Sequence, residues 1–239
     1  MPLQLTENDW RALFPKAPSS IIQAFATQGH VLDRVGITES RTRLAFAVAN
    51  VEHEAGGFAI KNLTENINYT AEGMAKVWPN RFASADVVRA KYGTKPGWQK
   101  RAFDDIYGAR MGNREGTDDG SRYIGRGGPQ ITGRDGYREV GRRCGLDLVN
   151  NPDLTALPQH QPAILAAFWD WKGLAKLADA GNFKAFVKRW NGGNVGQKDR
   201  EALLKGNDPV IGRLQSVVRA QSILDVLENI LAGMDKEAA

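Results

Sequence analysis

A core helix that ends at a double glycine is the feature that most constrains how this chain folds. Apolar residues recur at helical spacing and predict an α-helix from about Glu39 to Glu54. The residues of this apolar stripe are Leu44, Val48 and Val51. Gly56-Gly57 follows directly and suits the left-handed C-terminal cap of a helix. At about 100° per residue, Glu54 lies about 80° from Leu44, at the edge of the stripe. The pattern therefore predicts a carboxylate at the C-terminal end of a core helix.

The remaining pattern is mostly helical, with loops that carry the polar and glycine-rich stretches. Further helices are predicted from Thr6 to Leu13, from Ser19 or Ser20 to Gly29, and at Ser84–Lys91, Pro162–Ala178, Phe183–Trp190 and Pro209–Leu231. The last of these has an apolar stripe that predicts docking on the core, with an oligomer seam as the alternative. The stripe is formed by Leu214, Val217, Leu224, Leu227 and Leu231. Residues 120–137 are predicted to be loop-like.

No repeat or linker divides the chain, which predicts a single catalytic domain over residues 1–239 without a separate binding module. Residues 80–120 are polar and punctuated by glycine, and are predicted to form a smaller lobe or insertion beside a cleft. The larger lobe is expected to be helical.

Composition is that of a soluble globular protein, with 42% hydrophobic and 25% charged residues. Cys144 is the only cysteine, so an internal disulfide is excluded and a reducing cytosol is expected. The N-terminus shows no Sec-type leader, and no stretch approaches the roughly 20 apolar residues that span a bilayer. These features predict a monomer made in the cytoplasm without stable membrane association. If the protein acts outside the cell, something other than its own leader must release it.

The net charge of +5 favours a polyanionic partner such as nucleic acid, an acidic membrane face or a bacterial wall. The basic residues are scattered, however, and Arg142-Arg143 and Lys188-Arg189 are the densest pairs. A solvated surface with a modest excess of charge explains them equally well. Nucleic-acid binding would require dense basic stripes or exposed stacking aromatics. The tryptophans are instead spread among predicted helices, where core packing is expected, so no nucleic-acid partner is predicted.

Two glutamates lie on either side of the Gly-Gly break, in contrasting settings. Glu54 lies next to apolar side chains, and partial burial would keep it protonated, as a general acid requires. Glu65 lies in an amide-rich segment with Tyr69, and polar surroundings would keep it ionised, as a general base requires. A surface glutamate at a helix end and an asparagine-rich turn are the alternatives. A zinc helix is excluded, because His53 would need a second histidine at position 57, which is glycine.

Two further blocks supply polar groups. Tyr123–Arg134 is rich in glycine and basic residues but matches neither the Walker nor the dinucleotide pattern. It suits a cleft wall in which Gln130 and Thr132 point inward, and Thr132 could hold an attacking water. Trp190–Asn194 supplies the amide of Asn191, although an Asn-Gly-Gly helix stop is the simpler interpretation.

Taken in this order, the blocks resemble glycoside hydrolase family 19, the chitinase-like lysozymes. The matching segments are Ile37–Ala45, His53–Phe58, Glu65–Tyr69, Tyr123–Arg134, Asn151–Leu154 and Asn191–Arg200, and the resemblance covers about residues 3–215. The resemblance implies a mainly α, lysozyme-like fold with two lobes around a groove, no metal and no cofactor. This sequence departs from the family at Gly136, where relatives usually have asparagine, so one sugar contact is missing.

The resemblance also implies roles for single residues. Glu54 resembles the general acid, Glu65 the general base, and Thr132 the hydroxyl that places the water. The predicted substrate contacts are Tyr69, Tyr123, Gln130 and Asn191. The family inverts anomeric configuration by single displacement, which implies carboxyl groups about 6.5–9.5 Å apart.

The resemblance leaves the polymer open, because chitin and peptidoglycan are both β-1,4-linked N-acetylhexosamine chains. The basic charge, the lack of a visible leader and the lack of a carbohydrate-binding module favour peptidoglycan, as in a phage-type endolysin that a holin releases to the cell wall. Chitin is the alternative. A non-catalytic glycan-binding protein is a third possibility, although both glutamates are present.

Overall fold

The chain folds almost entirely into helices and loops. A computed structural model describes residues 2–193, 195–205, 210 and 212–217. Over these residues the only β-type pairings are isolated bridges that join Thr64 to Arg126 and Arg126 to Ile131. The predicted mainly α fold is confirmed.

The α-helices, numbered in chain order, include several of the predicted ones. They are α1 (Glu7–Leu13), α2 (Ser19–Gln28), α3 (His30–Arg34), α4 (Arg41–Ala55), α5 (Ala71–Val77), α6 (Ala85–Tyr92), α7 (Trp98–Tyr107), α8 (Asp119–Arg122), α9 (Arg134–Cys144), α10 (Gln161–Lys172), α11 (Ala175–Asp179), α12 (Phe183–Asn191) and α13 (Gln197–Lys205). Short 3₁₀ helices span Ile37–Glu39, Lys61–Leu63, Pro152–Ala156 and Pro158–His160.

Helix α4 begins and ends where its sequence provides caps. The Ser40 hydroxyl accepts the amide N–H of Arg43 at 3.2 Å, which satisfies one of the free donors of the first turn. At the other end Gly56 adopts φ 57°, the left-handed conformation that glycine reaches without steric strain. The predicted core helix is therefore present, and Glu54 lies in its last turn.

Three sequence predictions differ from the structure or lie beyond it. The predicted Pro162–Ala178 helix is two helices, because Gly173 adopts φ 61° and ends α10. The predicted loop at 120–137 overlaps the end of α8 and the start of α9. Residues 210 and 212–217 are helical with Leu214 and Val217 buried, whereas the rest of the Pro209–Leu231 prediction lies outside the described residues.

Two hydrophobic clusters organise the fold. The larger cluster is built from α1, α2, α4, α9, α10, α12 and α13. The smaller is built from α5, α6 and α7, around buried side chains such as Met74, Val88 and Phe103. A groove is lined by Phe168 and Trp190 of the larger cluster and by Tyr107, which packs on the smaller one. The predicted arrangement of two lobes around a groove is confirmed.

None of the described helices combines the length and the apolar character that crossing a bilayer requires.

Candidate active site

The groove between the two lobes contains both candidate catalytic glutamates. Its volume is about 580 Å³. Five of the predicted site residues line it together, namely Glu54, Glu65, Gln130, Thr132 and Asn191. The structure thus brings together residues that are up to 137 positions apart in the sequence (191 − 54 = 137).

Glu54 is held by an ion pair with a buried arginine. Arg200 Nη2 donates to Glu54 Oε1 at 2.5 Å, and the Glu54 side chain is 18% exposed. Arg200 Nη1 donates to Asn50 Oδ1 at 2.6 Å, and Asn50 Nδ2 donates to the Phe46 carbonyl at 2.8 Å. The sequence predicts an apolar setting for Glu54, and the structure instead places a buried cation against it.

Helical spacing explains this arrangement. Asn50 and Glu54 are four residues apart on α4, so their side chains lie on one face of that helix. Helix α13 packs against α4 and carries Arg200 into contact with both.

His53 lies beside this group without joining the groove. A methyl group built on Gly196 would lie 2.6 Å from His53 Nε2, so the glycine lets the loop before α13 approach the imidazole. Burial, and secondarily the charge of Arg200, lower the pKa of His53 below its usual range. The imidazole is therefore neutral at pH 7.

Glu65 is hydrogen-bonded through its backbone and its side chain to the glycine-rich loop, the segment Tyr123–Arg134. Its amide N–H donates to the Gly125 carbonyl at 2.8 Å, and the Gly125 N–H donates to Glu65 Oε2 at 3.1 Å. Burial raises the pKa of Glu65, and the Gly125 N–H and the charge of Arg126 offset part of that rise. The sequence predicts instead that polar surroundings keep Glu65 ionised, which would not raise its pKa. The neighbouring asparagines, Asn62, Asn66 and Asn68, are exposed, and burial outweighs polar surroundings at the carboxylate.

The glycine-rich loop forms one wall of the groove, as predicted. Gln130 adopts φ 53°, and its side-chain Nε2 donates to the Gly127 carbonyl at 2.9 Å. The Thr132 hydroxyl donates to the Gln130 carbonyl at 3.1 Å. A methyl group built on Gly125 would lie 2.8 Å from Gln130 Oε1, so a side chain at position 125 would displace the Gln130 amide.

Asn191 ends α12 and is exposed at the groove, where its Nδ2 donates to the Val195 carbonyl at 3.2 Å. The two predicted tyrosines are not among the groove-lining residues. The ring of Tyr69 packs against Trp78, with centroids 5.4 Å apart, in the smaller lobe. Tyr123 is buried, and its hydroxyl donates to the Val149 carbonyl at 3.0 Å, so it supports the wall from behind.

Comparison with known proteins identifies the family. The family model of glycoside hydrolase family 19, described as chitinase class I, matches residues 97–207. A Haemophilus influenzae protein described as "Glycosyl hydrolase family 19 domain-containing protein" is 30% identical over 206 residues, which cover 84% of this chain and 94% of that protein. The chain belongs to glycoside hydrolase family 19.

Two further proteins are similar to this family 19 glycosidase, one over a short segment and the other at low sequence identity. The acidic 27 kDa endochitinase of Solanum lycopersicum is 45% identical over 58 residues, which are 24% of this chain and 23% of that protein. Chitinase C from Streptomyces griseus superposes with a TM-score of 0.47 at 17% identity, and the match covers 90% of this chain and 75% of that one.

Several residues at the candidate site had no predicted role. Asn50 sits in an ordinary helical pattern, and Arg200 was named only as the end of the matching segment Asn191–Arg200. An arginine on the buried side of α13 is the kind of residue that requires a partner. Trp171 lines the groove, whereas the sequence predicts core packing for the tryptophans. Tyr107 comes from the smaller lobe, and only the tertiary fold shows that it reaches the groove.

Gly136, where the sequence departs from the family pattern, packs against the groove wall. A methyl group built there would lie 3.0 Å from Ile131 Cγ2 and 3.7 Å from the Trp171 ring. The glycine lets α9 pack closely under the groove wall and offers no side chain to a sugar.

Over the described residues, no three His, Cys, Asp or Glu side chains are grouped as a metal site requires. The side chains present can supply two carboxylates in unlike surroundings, a hydroxyl and two amides along one open groove. That set of groups suits acid–base hydrolysis of a glycosidic bond.

Proposed function

We propose that this family 19 enzyme hydrolyses β-1,4 bonds of bacterial peptidoglycan by inverting single displacement. In this proposal Glu54 protonates the leaving oxygen, and Glu65 accepts a proton from the attacking water. Thr132 positions that water, and Gln130 and Asn191 contact the sugars. The observation that carries the proposal is that Glu54, Glu65 and Thr132 line one open groove in a chain of this family.

The surroundings of Glu65 suit a general base. A carboxylate with a raised pKa is a stronger base once it is ionised, and proton transfer is most efficient when the pKa approaches the working pH. The Gly125 N–H, at 3.1 Å from Oε2, orients the carboxylate and leaves Oε1 for water.

Two observations favour peptidoglycan as the substrate, namely the net charge of the chain and its similarity to a bacterial protein. The net charge of +5 favours an anionic wall polymer, and the relative that matches along most of this chain is bacterial. In this proposal the enzyme acts as an endolysin that reaches the wall after its release from the cell. Chitin is the second candidate substrate, and it is supported by the 45% identity to the tomato endochitinase over 58 residues.

The test is loss of turbidity of Gram-negative cells whose outer membrane has been permeabilised, with colloidal chitin assayed in parallel. Glu54→Gln is the matched variant, because it keeps the shape of the side chain and removes the proton donor. We expect lysis by the wild type and a loss of at least about 10²-fold in the variant, the usual contribution of a general acid.

Sugar release from chitin without lysis would replace peptidoglycan by chitin as the substrate. Residual activity of Glu54→Gln within a few fold of the wild type would remove Glu54 from the acid role. Circular dichroism of the variant confirms that the fold is retained.

A further inference from the structure

Lys172 places a positive charge on the wall of the candidate active site. It ends α10 and lines the same groove as Glu54 and Glu65. Its Nζ lies 4.1 Å from the centroid of the Trp171 ring and 5.5 Å from that of Phe168. Two aromatic faces therefore hold the ammonium group in position at the groove.

The charged neighbour that shifts the pKa of Lys172 is a second cation. Burial lowers the pKa of Lys172, and the nearby charge of Arg189 lowers it further. The carboxylate of the preceding turn residue, Asp170, is engaged by Arg143 Nε at 2.9 Å. Over the described residues, Lys172 takes part in no ion pair with a carboxylate.

A helix C-terminus stabilises a cation by several tenths of a kcal/mol, so the position of Lys172 has a structural explanation as well. That explanation does not require the ammonium to face the groove. A lysine at the end of a helix normally extends its charged end into bulk water. Here the ammonium is half-buried between aromatic rings and next to another cation, an arrangement that an anion entering the groove would complete.

The two candidate polymers differ in this respect. Chitin is a neutral chain of N-acetylglucosamine. In peptidoglycan, every second sugar bears a lactyl ether that carries a peptide with free carboxylates. The sugars are common to both polymers, so a fixed ammonium in the groove cannot distinguish the polymers through them. It can distinguish them only through the carboxylates that peptidoglycan carries.

We propose that Lys172 binds a carboxylate of the peptide carried by peptidoglycan, and that it thereby selects peptide-bearing glycan. This inference rests on the proposed function, since it assigns the substrate preference of the same groove. Lys172 is a specificity-determining residue in this proposal and takes no part in bond cleavage.

The experiment compares two forms of one soluble substrate. Peptidoglycan strands with intact peptides are used as isolated and after their carboxylates have been converted to amides, so the sugars are identical. KM and kcat are measured for the wild type, Lys172→Met and Lys172→Arg. Lys176→Met serves as the control, because it removes the same charge from an exposed position of α11 that does not line the groove.

We expect Lys172→Met to raise KM on the native strands by about two- to fivefold with kcat retained, as loss of one partly exposed ion pair implies. Lys172→Arg is expected to keep most of the affinity. On the amidated strands, the wild type and Lys172→Met should have equal KM values, and Lys176→Met should match the wild type on both.

Three results would overturn the inference. An equal rise of KM on both forms would show that Lys172 contacts the sugar or supports the wall, and an unchanged KM on native strands would show that it binds no anion. A shift of the same size in Lys176→Met would reduce the effect to overall charge. Failure of the wild type to cleave either form would instead refute peptidoglycan as the substrate, so the two failures are distinguishable.

Discussion

Arg200 is the residue that connects the candidate acid to the core. A guanidinium group is planar and donates in several directions, so one side chain can serve Asn50 and Glu54 together. Arg200 is 1% exposed, and burial of a charge is tolerated only when the charge is paired and hydrogen-bonded. Lysine would keep the charge but could not reproduce the two-directional contact. The orientation of Glu54 is therefore set jointly by α4 and α13.

The limits of sequence reasoning are clearest at single residues. Glu54 and Glu65 are candidates from the sequence because each sits in a local pattern of glycines or amides that the chain displays directly. The surroundings of both carboxylates were predicted in the wrong sense, because Arg200 and Gly125 come from distant parts of the sequence. Burial and pairing depend on tertiary contacts, which short-range spacing does not report.

Glu65→Gln provides a pH-dependent prediction. Burial raises the pKa of Glu65 in the folded state, so the unfolded state binds fewer protons between the two pKa values and stability falls as pH rises through them. Removal of the ionisable group should therefore raise the free energy of unfolding at about pH 7.5 and leave it nearly unchanged at about pH 4. Glutamine keeps an oxygen that can accept the Gly125 N–H.

The measurement is urea denaturation of the wild type and Glu65→Gln at both pH values, with the exposed Glu115→Gln as control. A stabilisation of equal size at both pH values would show that ionisation of Glu65 is not its cause. The same variant should lose hydrolytic activity, since it lacks the proposed base.

At the level of elements, the turn after α4 and the glycine-rich loop form one packed unit. Phe58 is buried against Phe14 and Phe25, with ring centroids 4.9 Å and 5.4 Å away. Gly128 lies directly on the Phe58 ring, and its N–H donates to Gln161 Oε1 at 2.9 Å. The wall that carries Gln130 and Thr132 is thus fixed by the same core that fixes the end of α4.

Gly128→Ala tests this packing. The added methyl group would lie 2.4 Å from Phe58 Cε1, so the loop or the ring must move. We expect a loss of about 1–3 kcal/mol in the free energy of unfolding, the usual effect of overpacking a core, together with reduced activity because the wall shifts. Denaturant melts and hydrolysis rates measure both effects.

Gly73→Ala is the control for that substitution. Its methyl group would meet Thr70 Oγ1 at 3.4 Å, an ordinary contact, and alanine favours the helical conformation of α5. We expect unchanged or slightly increased stability. A Gly128→Ala protein as stable and active as this control would show that the loop is not held by Phe58.

Boundaries between elements were predicted less well than the elements themselves. The apolar pattern of Pro162–Ala178 continues through Gly173, so periodicity alone gives one helix. The structure ends α10 there because Gly173 adopts the left-handed conformation, and the chain turns into α11. Gly173 was the residue in the sequence that indicated a helix end, but the apolar periodicity that continues past it led to the prediction of one helix.

At the scale of the whole molecule, the two hydrophobic clusters are joined at the groove. The adjacent residues Tyr123 and Ile124 are buried in different clusters, Tyr123 in the larger and Ile124 in the smaller. Leu63 belongs to the larger cluster, and Ile67 packs on the smaller one. Glu65 and Gly125 lie in the two segments where the chain passes from one cluster to the other, and they are hydrogen-bonded to each other. The candidate base therefore sits where the two lobes meet.

This arrangement predicts that the lobes unfold together. Phe103 is completely buried in the smaller cluster, where its ring lies 6.0 Å from that of Tyr69 and 5.8 Å from that of Trp78. Phe103→Ala should lower the free energy of unfolding of the whole domain by about 3–5 kcal/mol, the usual effect of such a truncation. Val77→Ala, at a position that is 51% exposed in the same lobe, should change it by less than about 0.5 kcal/mol.

Far-ultraviolet circular dichroism and tryptophan fluorescence should report one coincident transition in urea for both variants, since coincident probes are the signature of a single cooperative unit. The shared hydrogen bonds of Glu65 and Gly125 give the physical reason, because neither lobe can unfold without exposing this pairing to water. A Phe103→Ala protein with two separate transitions, the second at the wild-type midpoint, would show instead that the smaller lobe unfolds by itself. In that case the groove could open by local unfolding, and activity should disappear at the first transition while most of the helical signal remains.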